Sequence, residues 1–165
     1  MKKRVFLLAS LLVVGGLIIY LLPDSNNEVA KDTEPILKTE EVISEEEEIM
    51  EIRISDGSNE VVYVLNESEC AKDLYEQLPL SVEVSNFSNN EKIFYPSNDL
   101  DISDAILASS GQRGILAYYA PWGDVVLFYD RFNAASGLYI LGEAIEGEDV
   151  ISNLSGQIEI EKVEE

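Results

Sequence analysis

The 165-residue chain contains no histidine, one cysteine (Cys70), and 11 Lys and Arg residues against 32 Asp and Glu. Without histidine, the commonest general base, proton shuttle and metal ligand is missing. A single cysteine excludes an intrachain disulfide and every cysteine-rich zinc motif. The formal net charge of -21 disfavours nucleic-acid binding, and no nucleic-acid partner is expected, because neutralising phosphates takes clustered Lys and Arg. No glycine-rich loop opens a helix, so a flavin, nucleotide or phosphate site lacks its usual cradle and no cofactor is implied. What remains is a binding or structural protein, or an enzyme restricted to carboxylates, tyrosines and arginines.

The charge is unevenly placed. Lys2, Lys3 and Arg4 precede the run Val5 to Leu22, which is apolar apart from Ser10, Gly15, Gly16 and Tyr20. At about 1.5 Å per residue this run covers about 27 Å, the thickness of a bilayer's hydrocarbon core. Residues 1–23 therefore predict a transmembrane helix with a cytoplasmic N-terminus and everything after it outside the cell. An uncleaved signal anchor is favoured over a cleaved secretory signal, because the end of the run offers no Ala-x-Ala-like triplet. Residues 24–50 form an acidic linker. Asp24 to Glu51 holds 11 acidic residues against Lys31 and Lys38, too few apolar groups to offset the entropy of ordering. It is expected to be a disordered, solvated stalk, with Glu45 to Glu48 as spacer rather than as a cation contact.

Residues 51–165 are long enough for one domain with a core, and their pattern is mainly β. Ile52 to Ile54 and Val61 to Leu65, joined by Asp56-Gly57-Ser58-Asn59, predict an opening hairpin. Asn66 and Glu69 are spaced as a capping box, and Ala71, Leu74, Tyr75 and Leu78 share one helical face ahead of Pro79. A strand resumes at Val82 and Val84. Asn86 to Gly114, with the apolar patch Ile93-Phe94-Tyr95, reads as a loop-rich excursion. Ile115 to Tyr119 and Val125 to Tyr129 are apolar at nearly every position, which predicts two strands buried on both faces. Leu138 to Gly142, a short helix at Glu148 to Leu154, and an alternating edge strand at Gln157 to Val163 complete the chain.

Two segments carry a family resemblance. Gly137 to Leu154, an apolar strand ending in glycine that passes through a turn at Gly147 into a short helix, resembles the cyclophilin fold, with Ala144 at a position the family gives to Val. The string Ala117-Tyr118-Tyr119-Ala120-Pro121-Trp122-Gly123-Asp124, with Leu78-Pro79-Leu80 closing a helix, is similar to a group of bacterial cyclophilin-like proteins without a settled activity. The resemblance covers Glu51 to about Val163. It implies an antiparallel β-barrel with one or two short helices at its ends.

The resemblance also raises prolyl isomerase activity. In cyclophilins an Arg in a Phe-His-Arg motif stabilises the twisted amide over an aromatic floor. Phe128 resembles the floor aromatic, but Ile93-Phe94-Tyr95-Pro96 offers neither His nor Arg, and Leu138 stands where the family places a His. A divergent isomerase is thus the alternative to a module that binds a peptide or small ligand without catalysis. The contacts expected for that ligand are Tyr118, Tyr119, Trp122, Phe128 and Arg131, since Tyr and Trp combine large rigid area with a polar tip and Arg can hold an anionic group. Most aromatics on central strands are core, and Trp122, in its Pro-Trp-Gly turn, is the one expected at the surface. The acids between Asp99 and Asp104 lack the glycine and glutamate of a calcium loop, so a chance cluster or a helix cap at Ser103 is favoured over a metal site. Cys70, flanked by Glu67 and Glu69, is expected to be packed and inert.

Overall fold

The computed structural model describes residues 49–163, so the apolar run of residues 1–23 and nearly all of the acidic linker lie outside the described residues. Among the described residues no helix is long and apolar enough to cross a membrane. The first hairpin joins β1 (Glu51–Ser55) to β2 (Glu60–Leu65), with Ile54 opposite Val61. Its turn is shaped by Asp56, whose Oδ1 accepts the backbone N–H groups of Ser58 at 2.9 Å and Asn59 at 2.8 Å. Those donors stabilise the ionised carboxylate and hold its pKa down to about 2.

Helix α1 (Glu69–Glu76) follows, and its cap differs in detail from the capping box expected at Asn66. Ser68 is the N-cap and accepts from Ala71 N, while Asn66 Oδ1 takes the Ser68 N–H and hydroxyl. Glu69 pairs with Lys72 at 2.8 Å instead of closing the box. The helix buries Cys70, Ala71 and Leu74 in the main core. Burial, then the charges of Asp73, Asp104 and Asp101, push the Cys70 thiol up to about 12, which keeps it protonated and unreactive at neutral pH.

The remaining strands are β3 (Leu80–Phe87), β4 (Glu91–Phe94), β5 (Ile106–Leu107), β6 (Ile115–Tyr119), β7 (Asp124–Phe128), β8 (Leu138–Glu146) and β9 (Gly156–Lys162). The order β2-β1-β9-β3-β4-β7-β6-β8 returns to β2, so eight antiparallel strands close a barrel. β8 makes this possible by dividing one edge: Ile140 pairs with Ile106 of β5, while Gly142 pairs with Leu65 of β2. Two expectations are corrected by this closure. β9 is not an edge strand but lies between β1 and β3, and its alternation reflects Ile158 and Ile160 facing the interior while their neighbours face solvent. Ile93 and Phe94 lie within strand β4 and not in a loop, because the excursion crosses the barrel wall before it leaves. The helix expected over Glu148 to Leu154 contracts to a single 3-10 turn at Ile151–Asn153.

No helix starts at Ser103. The acids of that loop instead accept backbone N–H groups, Asp104 from Glu69 at 2.9 Å and Asp101 from Ser103 at 2.8 Å. Asp73 of α1 likewise accepts Asp101 N at 2.7 Å, so the loop is tied to the start of the helix.

The barrel is filled by one large cluster that includes Ile52, Tyr63, Leu74, Phe94, Leu116, Leu127 and Ile158. Tyr63 is fully buried and its hydroxyl has no hydrogen-bond partner, so burial also pushes the phenol above its ordinary pKa. An unpaired buried hydroxyl costs about 1–3 kcal/mol, and phenylalanine keeps the ring while removing it. Tyr63→Phe is therefore expected to raise the urea midpoint, with a gain of about 1 kcal/mol; a loss of stability would mean that the hydroxyl is satisfied in solution.

Candidate ligand-binding groove

β6 and β7 are buried on both faces, as their sequences predict, and the two faces serve different purposes. Leu116, Tyr118, Val125 and Leu127 point into the barrel. Ala117, Val126 and Phe128, on the opposite phase, join Ile93, Ala108, Phe132 and Leu138 in a second cluster outside the wall. The segment after β7 folds back over this outer face. Gly111 and Phe132 exchange backbone hydrogen bonds at 3.1 Å in each direction. A Cβ on Gly111 would overlap the Phe132 ring, so only glycine lets that ring settle there. The ring of Phe132 stacks on Phe128, with centroids 3.8 Å apart and planes inclined by 14°.

A groove of about 270 Å³ remains beside this stack. Val126, Phe128 and Leu138 line it from the strands, and Phe132, Asn133 and Ala135 line it from the returning segment. Phe87 enters from the end of β3, Asn90 from the β3–β4 turn, Glu91 from β4, and Tyr119, Trp122 and Asp124 from the β6–β7 hairpin. The Trp122 ring meets Phe87 at 5.3 Å and Tyr119 at 5.5 Å between centroids, both in edge geometry, and stays 55% exposed. Trp122 N and Gly123 N both donate to the Tyr119 carbonyl, which fixes the tight turn that presents the indole.

The groove is acidic. Asp124 is only 2% exposed, and its Oδ1 has no hydrogen-bond partner. Burial raises its pKa above the ordinary carboxylate range. Glu91 is shifted the same way, first by burial and then by the charge of Asp124. No lysine or arginine lines the groove. The three ion pairs among the described residues, Arg53–Glu60, Lys72–Glu69 and Arg113–Glu148, involve none of the groove's side chains.

Of the five expected contacts, Tyr119, Trp122 and Phe128 come together here. Tyr118 does not: it is 2% exposed inside the barrel, where its hydroxyl accepts Leu100 N at 3.4 Å. Successive residues of a strand face opposite ways, so adjacent tyrosines cannot share one site. Arg131 is exposed and outside the groove lining, and the part of it that organises the site is its backbone carbonyl, which accepts from Asn90 Nδ2 at 3.1 Å. Asp124, Glu91, Phe87 and Leu138 were absent from the expected set. Asp124 was detectable in principle, since it lies two and four residues from Val126 and Phe128 on the same strand face. Glu91 and Phe87 lie in a stretch whose sequence reads as loop.

Residues 54–162 match the model of the cyclophilin-like family. Among solved structures, the solution structure of a hypothetical protein from Archaeoglobus fulgidus is similar at a TM-score of 0.54 and 18% identity, covering 70% of this chain and 95% of that one. At that identity the likeness is one of fold. No curated protein matches.

Proposed function

The chain belongs to the cyclophilin-like family, and from that premise we propose that it is a non-catalytic binding module that takes a peptide segment or small molecule in the outer groove over Phe128. One observation carries this reading: the groove has aromatic walls and an apolar floor but only acidic charge, with no Lys or Arg in its lining to stabilise a twisting amide as the Arg of a cyclophilin does. Its 270 Å³ lies just below the range of pockets that hold drug-sized ligands, which suits one side chain or a compact molecule. In this reading residues 1–23 anchor the protein in the cell membrane as a single-pass helix, and residues 24–50 hold the barrel outside the cell. The apolar run behind Lys2, Lys3 and Arg4 and the acidic stretch that follows support that placement.

A divergent peptidyl-prolyl isomerase is the second reading. It is favoured by Phe128, which lies on the groove's floor where the resemblance puts the proline-gripping aromatic. A protease-coupled assay on proline tetrapeptides separates the two. The expected result is a cis-to-trans rate equal to the uncatalysed one at micromolar protein. A catalysed rate that falls to background in Trp122→Ala, a substitution that leaves the groove's floor intact, would replace the binding reading with the enzymatic one.

A further inference from the structure

Asp124 poses a question that the fold does not answer. A buried carboxylate oxygen without a partner is among the costliest groups a protein can hold. Nothing in the barrel needs it, because the residue lies on the outward phase of β7, in line with Val126 and Phe128, and so lines the groove rather than the core. Its cross-strand partner is Tyr119, whose ring is in edge contact with Trp122. Glu91 brings a second carboxyl to the same groove from the neighbouring strand. Asn90, whose Nδ2 donates one of its two N–H groups to the Arg131 carbonyl, adds a side-chain amide oxygen to the lining.

We propose that this groove is a receptor for an organic cation, an ammonium or guanidinium carried on an apolar or aromatic body, with Asp124 as its counter-ion and Glu91 as a second acceptor. The inference rests on the binding-module reading and names its ligand class. The walls suit such a guest: Trp122, Tyr119 and Phe87 line the groove with rings of the kind that attract a cation, while Phe128 and Leu138 supply apolar surface for its body. A hard metal ion fits less well. Among the described residues no three metal-binding side chains converge, and aromatic walls replace the oxygen shell that such an ion demands. An anionic guest would face two carboxyls and no cation. Burial already pushes both carboxyls toward protonation, and a cation beside Asp124 relieves that cost there. The domain's surplus of acids, 21 against 6 basic residues over positions 52–165, draws cations toward the surface at long range.

The chain has a single tryptophan, and Trp122 lines this groove, so its fluorescence reports on occupancy. The full chain, reconstituted in phosphatidylcholine vesicles, is titrated with three probes of similar shape: 2-phenylethylammonium, 2-phenylethanol and 3-phenylpropionate. The ammonium is expected to bind about tenfold more tightly than the alcohol, the difference one desolvated charge contact supplies, and the carboxylate is expected to bind weakest. Asp124→Asn keeps the side chain's shape and should bring the ammonium and the alcohol to within about twofold. Glu91→Gln, at a less buried position, should give a smaller loss and serves if Asp124→Asn does not fold. Equal binding of ammonium and alcohol by the unaltered chain would overturn the cation reading and leave the binding module standing. An ammonium preference that survives both substitutions would overturn the assignment of Asp124 and Glu91. If none of the three probes changes the emission at millimolar concentration, the groove is not a binding site and both readings fall.

Discussion

Gly147→Ala is expected to be the most damaging small substitution in this domain, lowering stability by about 3–4 kcal/mol or preventing the barrel from closing. Gly147 follows directly on β8 with φ +73°, a conformation that disfavours any side chain. It also passes over the start of β2, where an added Cβ would collide with the Glu60 carbonyl and come within 3.1 Å of Val61 Cα. Neither neighbour can yield, because both are backbone at the β2–β8 seam, where Val62 pairs with Glu146. The left-handed conformation alone costs about 1–2 kcal/mol. Gly57→Ala and Gly156→Ala isolate that part, since both residues have positive φ with nothing within 4 Å of an added Cβ. Urea denaturation of the three variants should show Gly147→Ala losing at least twice as much as either control. Equal losses would mean that the seam relaxes freely.

The second large effect is a contrast between two aromatic residues of the groove. Phe128→Ala is expected to cost about 3–5 kcal/mol and Trp122→Ala no more than about 1 kcal/mol. Phe128 is 3% exposed and carries the stacked Phe132 ring, so truncating it opens a cavity between β7 and the segment that returns over it. Trp122 is largely exposed and makes only edge contacts with Phe87 and Tyr119. Thermal melting of the two variants tests this directly; similar losses would mean that the indole is a structural prop of the β6–β7 turn. The contrast also decides how the groove is best probed. Loss of binding in Phe128→Ala confounds function with folding, whereas Trp122→Ala, followed by calorimetry because the fluorophore is gone, removes a wall and leaves the floor.

Much of this architecture was legible in the residues. The hairpin turn at Asp56 to Asn59, the apolar face of α1 and the β6–β7 pair each follow from local chemistry acting over a few positions, and each forms where its pattern places it. The departures have separate causes. Asn66 was displaced as cap by Ser68 because Asn66 Nδ2 is drawn to the Ile140 carbonyl, 74 residues away. β9 looked like an edge because alternation reports one wet face, not the absence of neighbours. Ile93 and Phe94 looked like a loop because the polar turns on either side hide a strand of only four residues.

The site shows the same division more sharply. Period-two patterning on β6 and β7 assigns Tyr118 and Tyr119 to opposite faces whatever the fold. It does not say which face is the barrel's interior, because both are apolar and both are buried. That sign is fixed only when β8 closes on β2, which turns Leu116, Tyr118, Val125 and Leu127 inward and leaves Tyr119, Asp124, Val126 and Phe128 to line a groove. Composition alone established a chain that is acidic, without histidine and with one cysteine, and so restricted in its chemistry. Pairing of β4 with β3 and β7 then brought Phe87 and Glu91 across to Asp124 and Trp122, more than 30 residues along the chain, because hydrogen bonding between strands holds positions together that no sequence window spans.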